Sequence, residues 1–428
     1  MRDLSATVAA ALCGALPATL AAAVFATLPV CSRPAPGAPP LGLPLDQALI
    51  RDVPALAHFA RALRRDDLRV ADLFTLPENA FAQTPDPTDY FRFLRLPESP
   101  SAAAAPAVNL HVLTYNIALL DARIFWGLFP YLRAPLLDER RAPLAEAIFS
   151  SDHEVVFLQE LWRGQDVALF IETAKKHGYA AFASPRADHT DGLVLFVKAA
   201  LVAGQAPAMQ SFTYDAQVPS EYFPGPRMKR GFEHVVFVHE DLGTIHLFNT
   251  HMTAFPQNWQ KRMSQARQLG LAARQAAQDG SSLVLLGGDL NGGPYYPEDV
   301  FHSPQVKAVP GWWCNTLSYF LVLYYGGLTD LALAAAPSAD ADVTAFAENH
   351  RSPATWPFTV DETTNSIYAE QYLGQEFPAR IDHLFGLPAS RLAARSTKLA
   401  FGDKHKFGGA SGQLSDHFGV SVTLDVRN

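Results

Sequence analysis

From Val108 to Val426 the chain alternates short apolar runs, rich in β-branched and aromatic residues, with stretches whose apolar positions recur at helical spacing. That alternation predicts a layered α/β domain. Eight runs read as buried strands: HVLTYNI, EVVFLQEL, GLVLFVK, EHVVFVHE, TIHLFNTHM, SLVLLGGDLN, ARIDHLFG and HFGVSVTLDV. They are enough for two packed sheets. Gln257 to Asp279 is the clearest predicted helix, with Trp259, Met263, Ala266, Leu269 and Leu271 toward one face and Lys261, Arg262, Arg267 and Arg274 mostly away from it. Its expected role is to cover a sheet. The run from Leu317 to Leu328 has helical length and predicts a buried core helix.

The pattern before Val108 is different. Leu4 to Val30 is apolar and uncharged, which suits a secretory leader or a single membrane span. We expect residues 1–31 to be a signal peptide, with Val24 and Ala26 fitting cleavage after Ala26, and a retained anchor as the alternative. Leu28, Pro29 and Val30 precede Cys31 where a lipidated cysteine wants a small residue, so lipidation is the lesser reading. Residues 32–107 read as a linker and a helical extension: Ser32 to Pro44 is rich in Pro and Gly, Leu45 to Leu68 and Tyr90 to Leu96 have helical spacing, and Ser99 to Pro106 is a small-residue linker. Residues 108–428 are then the main domain, and the chain is expected to be exported, secreted or periplasmic.

Composition narrows the function. Of 428 residues, 49% are hydrophobic and 18% charged, the proportions of a globular protein. A net charge of -8 disfavours a protein that holds nucleic acid mainly by neutralising phosphates, although it leaves room for a metal-centred nuclease. The cysteines are Cys13, Cys31 and Cys314, two of them in the leader, which rules out a disulfide framework or zinc cluster; Cys314 reads as a small buried hydrophobe.

The candidate chemistry lies where the predicted strands end. Asn116, Glu160, His251, Asp289 with Asn291, Asp382 with His383, and Asp416 with His417 each adjoin an apolar run. Any one of them is an ordinary turn or cap residue; the repetition is what points to a site. Carboxylates and amide oxygens are hard donors suited to Mg²⁺, and a neutral imidazole held by a carboxylate is suited to taking a proton from water. Asp289 and Asn291, two apart in extended backbone, are expected to point to the same side, with Gly287, Gly288, Gly292 and Gly293 admitting a phosphate close to the backbone.

At these residues the chain resembles the endonuclease/exonuclease/phosphatase superfamily of deoxyribonuclease I-like phosphoesterases. The resemblance covers Val108 to Val426 and rests on six strings in family order: YN at Tyr115, LQE at Leu158, NTHM at Asn249, GDLN at Gly288, RIDH at Arg380 and SDHFGV at Ser415. It implies a four-layer sandwich of two mixed β-sheets flanked by helices. It also implies a divalent metal, Mg²⁺ with Mn²⁺ or another cation as alternatives, held by Asn116, Glu160, Asp289, Asn291 and Asp416. His417 is then the general base, Asp382 orients it, and His251 bonds a phosphate oxygen, with Asp289 also serving catalysis.

The flanking sequence narrows the substrate. LLGGDLN and EFPARIDHL lack the tryptophans typical of inositol polyphosphate phosphatases, whereas the NTH string, MKRGFEHVVF and SDHFGVSV look most like neutral sphingomyelinases. The implied reaction is hydrolysis of a phospholipid headgroup, most similar to sphingomyelin cleavage to ceramide and phosphocholine. The competing readings are a secreted nuclease, with nucleic acid as partner, and a catalytically silent membrane-binding scaffold. No protein partner is predicted. An enzyme at a membrane surface needs exposed aromatic residues, and Trp126, Trp312 and Trp313 are the candidate contacts. Lys229 and Arg230 read as a solvated strand end.

Overall fold

The computed structural model describes residues 43–53, 56–81, 107–124, 129–184, 191–203, 206–218, 228–294, 296, 309, 311–335, 358–372 and 378–427. The leader, the predicted helix from Tyr90 to Leu96, the linker at 99–106 and Trp126 lie outside them. Among the described residues no helix is long and apolar enough to cross a membrane.

The described residues form sixteen strands: β1 (Ala107–Asn116), β2 (Asp121–Ile124), β3 (Phe129–Arg133), β4 (Val155–Gln159), β5 (Tyr179–Ala183), β6 (Val194–Lys198), β7 (Ala208–Thr213), β8 (Gly231–His239), β9 (Gly243–His251), β10 (Leu283–Asp289), β11 (Thr329–Asp330), β12 (Asp382–Leu387), β13 (Leu392–Ala400), β14 (His405–Phe407), β15 (Ala410–Gly412) and β16 (Gly419–Arg427). Twelve form two six-stranded sheets, ordered β13-β16-β1-β4-β6-β5 and β11-β12-β10-β9-β8-β7. Both are mixed, because β1·β4 and β9·β10 pair in parallel while their neighbours pair antiparallel.

Strand alternation builds the layers. Val155 and Phe157 of β4 and Leu283 and Leu285 of β10 face a common core between the sheets with Val112, Leu247 and Val422. Val156 and Leu158 face the other way, onto α2 (Leu137–Phe149) and α3 (Gly164–Lys176), with Leu144, Phe149 and Phe170. Val284 and Leu286 meet α4 (Trp259–Ala276) and α5 (Leu317–Gly326) through Met263, Leu269 and Leu321. A strand residue and its neighbour thus bury in different layers, as a period of two requires. The result is the expected sandwich of two mixed sheets between helices, and all eight predicted strands are in it. Strands β5, β7 and β13 were not anticipated: each is a sheet edge with several half-buried or exposed positions, so their sequences lack an apolar run.

Leu45 to Asn428 is one compact unit, so the described part of the extension belongs to the body of the domain. It is less helical than its spacing suggests, with a single helical turn at Leu43–Asp46, α1 (Ala57–Ala62) and short 3₁₀ turns at Ile50–Asp52, Val70–Phe74 and Glu78–Phe81 among the described residues. Phe59 stacks on Trp313 at 5.5 Å and Phe81 meets Trp259 edge-on at 4.8 Å. Trp313 also donates its indole N–H to the Phe81 carbonyl at 3.1 Å. Trp313 is therefore core, and Trp312 is only 3% exposed; neither is a membrane contact as it stands. The aromatic density that suggested a surface platform is explained by the extension packing over it.

One buried cation holds the loops at the sheet ends. Arg140 of α2 has no exposed surface and donates to the carbonyls of Pro135 at 2.8 Å, Ala118 at 2.8 Å and Ile117 at 3.5 Å, and to that of Leu414. It joins the segment after β1 to the segment before β16. Replacing it by methionine leaves these carbonyls without their donor, so Arg140→Met is expected to lower unfolding free energy by at least ~3 kcal/mol, on the scale of ~1–3 kcal/mol per unsatisfied buried group. Urea unfolding checks this, and a midpoint matching wild type would show that the guanidinium is dispensable.

Candidate active site

Register brings the strand-end residues together. Asp289, last in β10, lies opposite His251 on β9 and Asp382 on β12. In the other sheet Asn116 pairs with Gln159, which places Glu160 immediately beyond. The two sheets meet through Asn116, whose Nδ2 donates to Asp289 Oδ2 at 3.0 Å and to Glu160 Oε1 at 3.3 Å. Glu160 turns off its strand at a φ of 63°, and Asn291 adopts a φ of 48°.

The second half of the site is a dyad. His417 Nδ1 lies 2.8 Å from Asp382 Oδ2, and its Nε2 lies 3.9 Å from Asp416 Oδ1. The Ser415 hydroxyl donates to the Asn116 carbonyl at 2.7 Å and accepts from the His417 amide at 3.2 Å, fastening this loop to the end of β1. Thr359 Oγ1 accepts from the amides of Ile381 at 3.0 Å and Asp382 at 3.2 Å, which anchors the other partner. His251 Nε2 is 3.3 Å from Asp289 Oδ2.

The electrostatics follow from this crowding. Burial, then the Asp382 carboxylate, pushes the Asp289 carboxyl up to about 7. Burial and Asp416 push Glu160 up as well. Burial alone would lower the His417 imidazole, but Asp382, Asp416 and Asp289 outweigh it and raise it to about 10. His251 moves well below its usual range because it is buried and close to the Arg230 guanidinium and to His417.

These residues fit a divalent cation. Asp289, Asp382 and His417 present ligand atoms within 4.8 Å of one another. Asp382 Oδ1 and His251 Nδ1 are buried without a hydrogen-bond partner. Oxygen donors predominate, as a hard cation requires. Asn116 Oδ1, however, accepts from the Ala118 amide at 3.1 Å, so holding a cation through that oxygen requires the amide to turn over.

Three expectations about this loop are corrected. Asn291 is not in extended backbone: its amide donates to Asp289 Oδ1 at 2.7 Å and its Nδ2 to the Met252 carbonyl at 3.0 Å, so it closes a turn. The glycines around GDLN make room for protein rather than for phosphate. A Cβ at Gly287 would lie 2.5 Å from the Phe157 ring, at Gly288 2.2 Å from the Thr250 carbonyl, and at Gly293 1.9 Å from the Arg380 carbonyl. Arg230 is not a solvated strand end: only 2% exposed, its guanidinium lies 5.7 Å over the Trp162 ring, which in turn is 6.3 Å from the His251 ring. Nothing in the sequence distinguished Arg230 from its exposed neighbour Lys229, because one step along the chain decides which side faces the core.

The cluster opens into a cavity of about 90 Å³. Glu160, His251, Asp289, Asn291 and His417 line it on the chemical side. Phe255, Tyr296, Trp312, Val360, Tyr368 and Ile381 supply apolar lining. Trp312 thus reaches the site as a pocket wall; Ile381 lies within the RIDH string, and the other four have no motif that would have marked them.

Residues 113–417 match the Endonuclease/Exonuclease/phosphatase family. No curated protein matches the sequence. The structure is similar to that of SmcL, with 15% identity, coverage of 74% of this chain and 99% of that one, and a TM-score of 0.50. It is also similar to truncated TDP2 from Caenorhabditis elegans (19% identity, 74% and 98% coverage, TM-score 0.49) and to sphingomyelinase C from Streptomyces griseocarneus (18%, 75% and 100%, 0.48). The likeness to SmcL is one of fold.

The shifts predict how stability depends on pH. Asp289 rises from 3.8 to about 7 and His417 from 6.5 to about 10, so both bind protons more tightly when folded. Each contribution is complete below the unfolded value and fades as pH climbs through the folded one. In chelator, the melting temperature should therefore fall between about pH 7 and pH 10, above the range in which the buried neutral histidines such as His58, His234 and His251 oppose this trend, and added Mg²⁺ should restore more of it at the alkaline end. A profile that rises over this range, or that is unchanged in Asp289→Asn, would show that the carboxylates are not crowded as described.

Proposed function

Because the chain belongs to the Endonuclease/Exonuclease/phosphatase family, a family of phosphoester hydrolases that generally depend on a divalent metal, we propose that it is a Mg²⁺-dependent phosphodiesterase that hydrolyses sphingomyelin to ceramide and phosphocholine. The observation that carries the reading is the His417–Asp382 pair at 2.8 Å, beside uncompensated carboxylates, in a cavity whose remaining lining is largely apolar. Nucleic acid needs a cationic path for its backbone. Among the described residues this cavity's lining contains no Lys or Arg, and the chain carries a net charge of -8. The flanking strings MKRGFEHVVF and SDHFGVSV support the sphingomyelinase assignment, and the apolar leader supports export.

In this reading Glu160, Asp289 and Asp416, with Asn116 and Asn291, would hold the cation, which when bound would supply positive charge to offset the carboxylates and the developing charge on the phosphoryl oxygens. His417 takes a proton from the attacking water at Nε2 while Asp382 holds Nδ1–H, which fixes the tautomer. The water oxygen bonds to phosphorus, the bond to the ceramide oxygen breaks, and that oxygen takes a proton from solvent and leaves as a hydroxyl, while His417 returns its proton to solvent. His251, kept neutral by burial, hydrogen-bonds a phosphoryl oxygen as its charge grows.

The test is a parallel assay of the purified protein with Mg²⁺ against sphingomyelin, phosphatidylcholine and DNA. Sphingomyelin should be cleaved to ceramide and phosphocholine, with DNA intact; preferential cleavage of DNA would replace this reading with the nuclease one. Glu160→Gln and Asp289→Asn should each lose at least ~100-fold in turnover, the scale of one preorganised transition-state contact. His417→Ala should lose more than Asp382→Asn at neutral pH, within the ~10²- to 10⁴-fold that general-base catalysis contributes. An equal loss in both would mean that Asp382 does more than orient.

A further inference from the structure

The cavity's aromatic lining has no part in the hydrolysis just described. Tyr296 and Trp312 are only 6% and 3% exposed, and their ring centroids lie 4.4 Å apart with planes inclined at 59°. Two inclined rings present faces from different directions rather than a flat slot. Tyr368 and Phe255 line the same space, and Val360 and Ile381 add aliphatic surface. Apart from the histidines, the charged lining is Glu160 and Asp289, with no Lys or Arg among the described residues. No Lys or Arg therefore opposes an incoming ammonium on the aromatic side of the cavity.

The polar residue on this wall discriminates further. Asn315 has both ends of its amide committed, Oδ1 to the Arg262 guanidinium and Nδ2 to the Trp312 carbonyl. A primary ammonium brings three N–H donors that need acceptors. A quaternary ammonium brings none, and its methyl groups pack against ring faces while its charge is stabilised by their electron density.

We infer that Tyr296, Trp312, Tyr368 and Phe255 form a subsite for the quaternary ammonium of the substrate headgroup, selecting N-methylated headgroups over primary amines. The inference rests on the phosphodiesterase reading of the neighbouring carboxylates and histidines and assigns the specificity of that site. Trp312 adjoins Trp313 in the chain, and the N-terminal extension packs on Trp313 through Phe59.

The experiment is a calorimetric titration of the full chain with phosphocholine and, separately, phosphoethanolamine at matched ionic strength. Phosphocholine should bind at least ~10-fold more tightly, the scale of a desolvated cation–π contact. Tyr296→Phe should keep the preference and Tyr296→Leu should reduce it at an unchanged melting temperature. Equal affinities for the two ligands in the wild-type protein would overturn the inference, whatever the variants do, and so would a preference that survives Tyr296→Leu. Hydrolysis of bis(p-nitrophenyl) phosphate with Mg²⁺, a diester lacking any amine, separates the two claims. Activity there without headgroup preference sinks the subsite and leaves the phosphodiesterase, whereas no activity on any diester sinks the phosphodiesterase itself.

Discussion

The structure depends on like charges being held where water cannot separate them. Asp289 sits in register between His251 and Asp382, and Asn116 draws Glu160 toward it from the other sheet. Carboxylates this close and this buried repel one another strongly, because little solvent screens them. The chain answers in two ways. His417 holds its proton between Asp382 and Asp416, and Asp289 keeps its own proton up to about pH 7. Both answers are provisional in chemical terms, since a base must be free of its proton to act, and a divalent cation is the charge that frees it.

Holding such a cluster requires rigid surroundings, and the fold supplies them in layers. The paired registers β1·β4 and β9·β10 bring acidic strand ends from both sheets to one place. Arg140 fixes the loops on one side through four carbonyls, and Ser415 and Thr359 fix the two partners of the dyad. On the other side, glycines at 287, 288 and 293 let the strands and loops approach to distances at which no Cβ fits. Strain from the repulsion is thus opposed by hydrogen bonds and close packing, which is the usual way an active site is kept away from its own lowest energy.

Much of this was legible in the sequence, for a reason visible in particular residues. Runs such as Val155 to Gln159 and Leu283 to Gly288 are apolar because both faces of the strand are buried, so the polar residue that follows each run marks its emergence. The placements of Asn116, Glu160, His251, Asp289, Asp382, Asp416 and His417 could be read from that signal. The residues it did not reveal obey different rules. Arg140 and Arg230 look like surface cations and are buried, because their partners are carbonyls and rings far away in the chain. Tyr296 and Phe255 sit in irregular segments, and Tyr368 in the short helix Ser366–Tyr372, so no sustained period exposes them. Trp312 and Trp313 were conspicuous for their size, yet the chain around them does not reveal that Phe59 and Phe81 pack on Trp313 or that Tyr296 packs on Trp312. Edge strands such as β7 escaped notice because half-burial leaves no apolar run.

The central claim is that this cluster is protonated until a divalent cation takes the place of the protons. It is tested most directly by calorimetric titration of Mg²⁺ into the chelator-treated protein at pH 7, repeated in buffers of different ionisation enthalpy so that the protons released are counted. The account predicts saturable binding with release of at least about half a proton, because Asp289 is near its midpoint and His417 is charged at that pH, and a smaller release from Asp289→Asn. Binding with no proton release, or with the same release from Asp289→Asn, would contradict it.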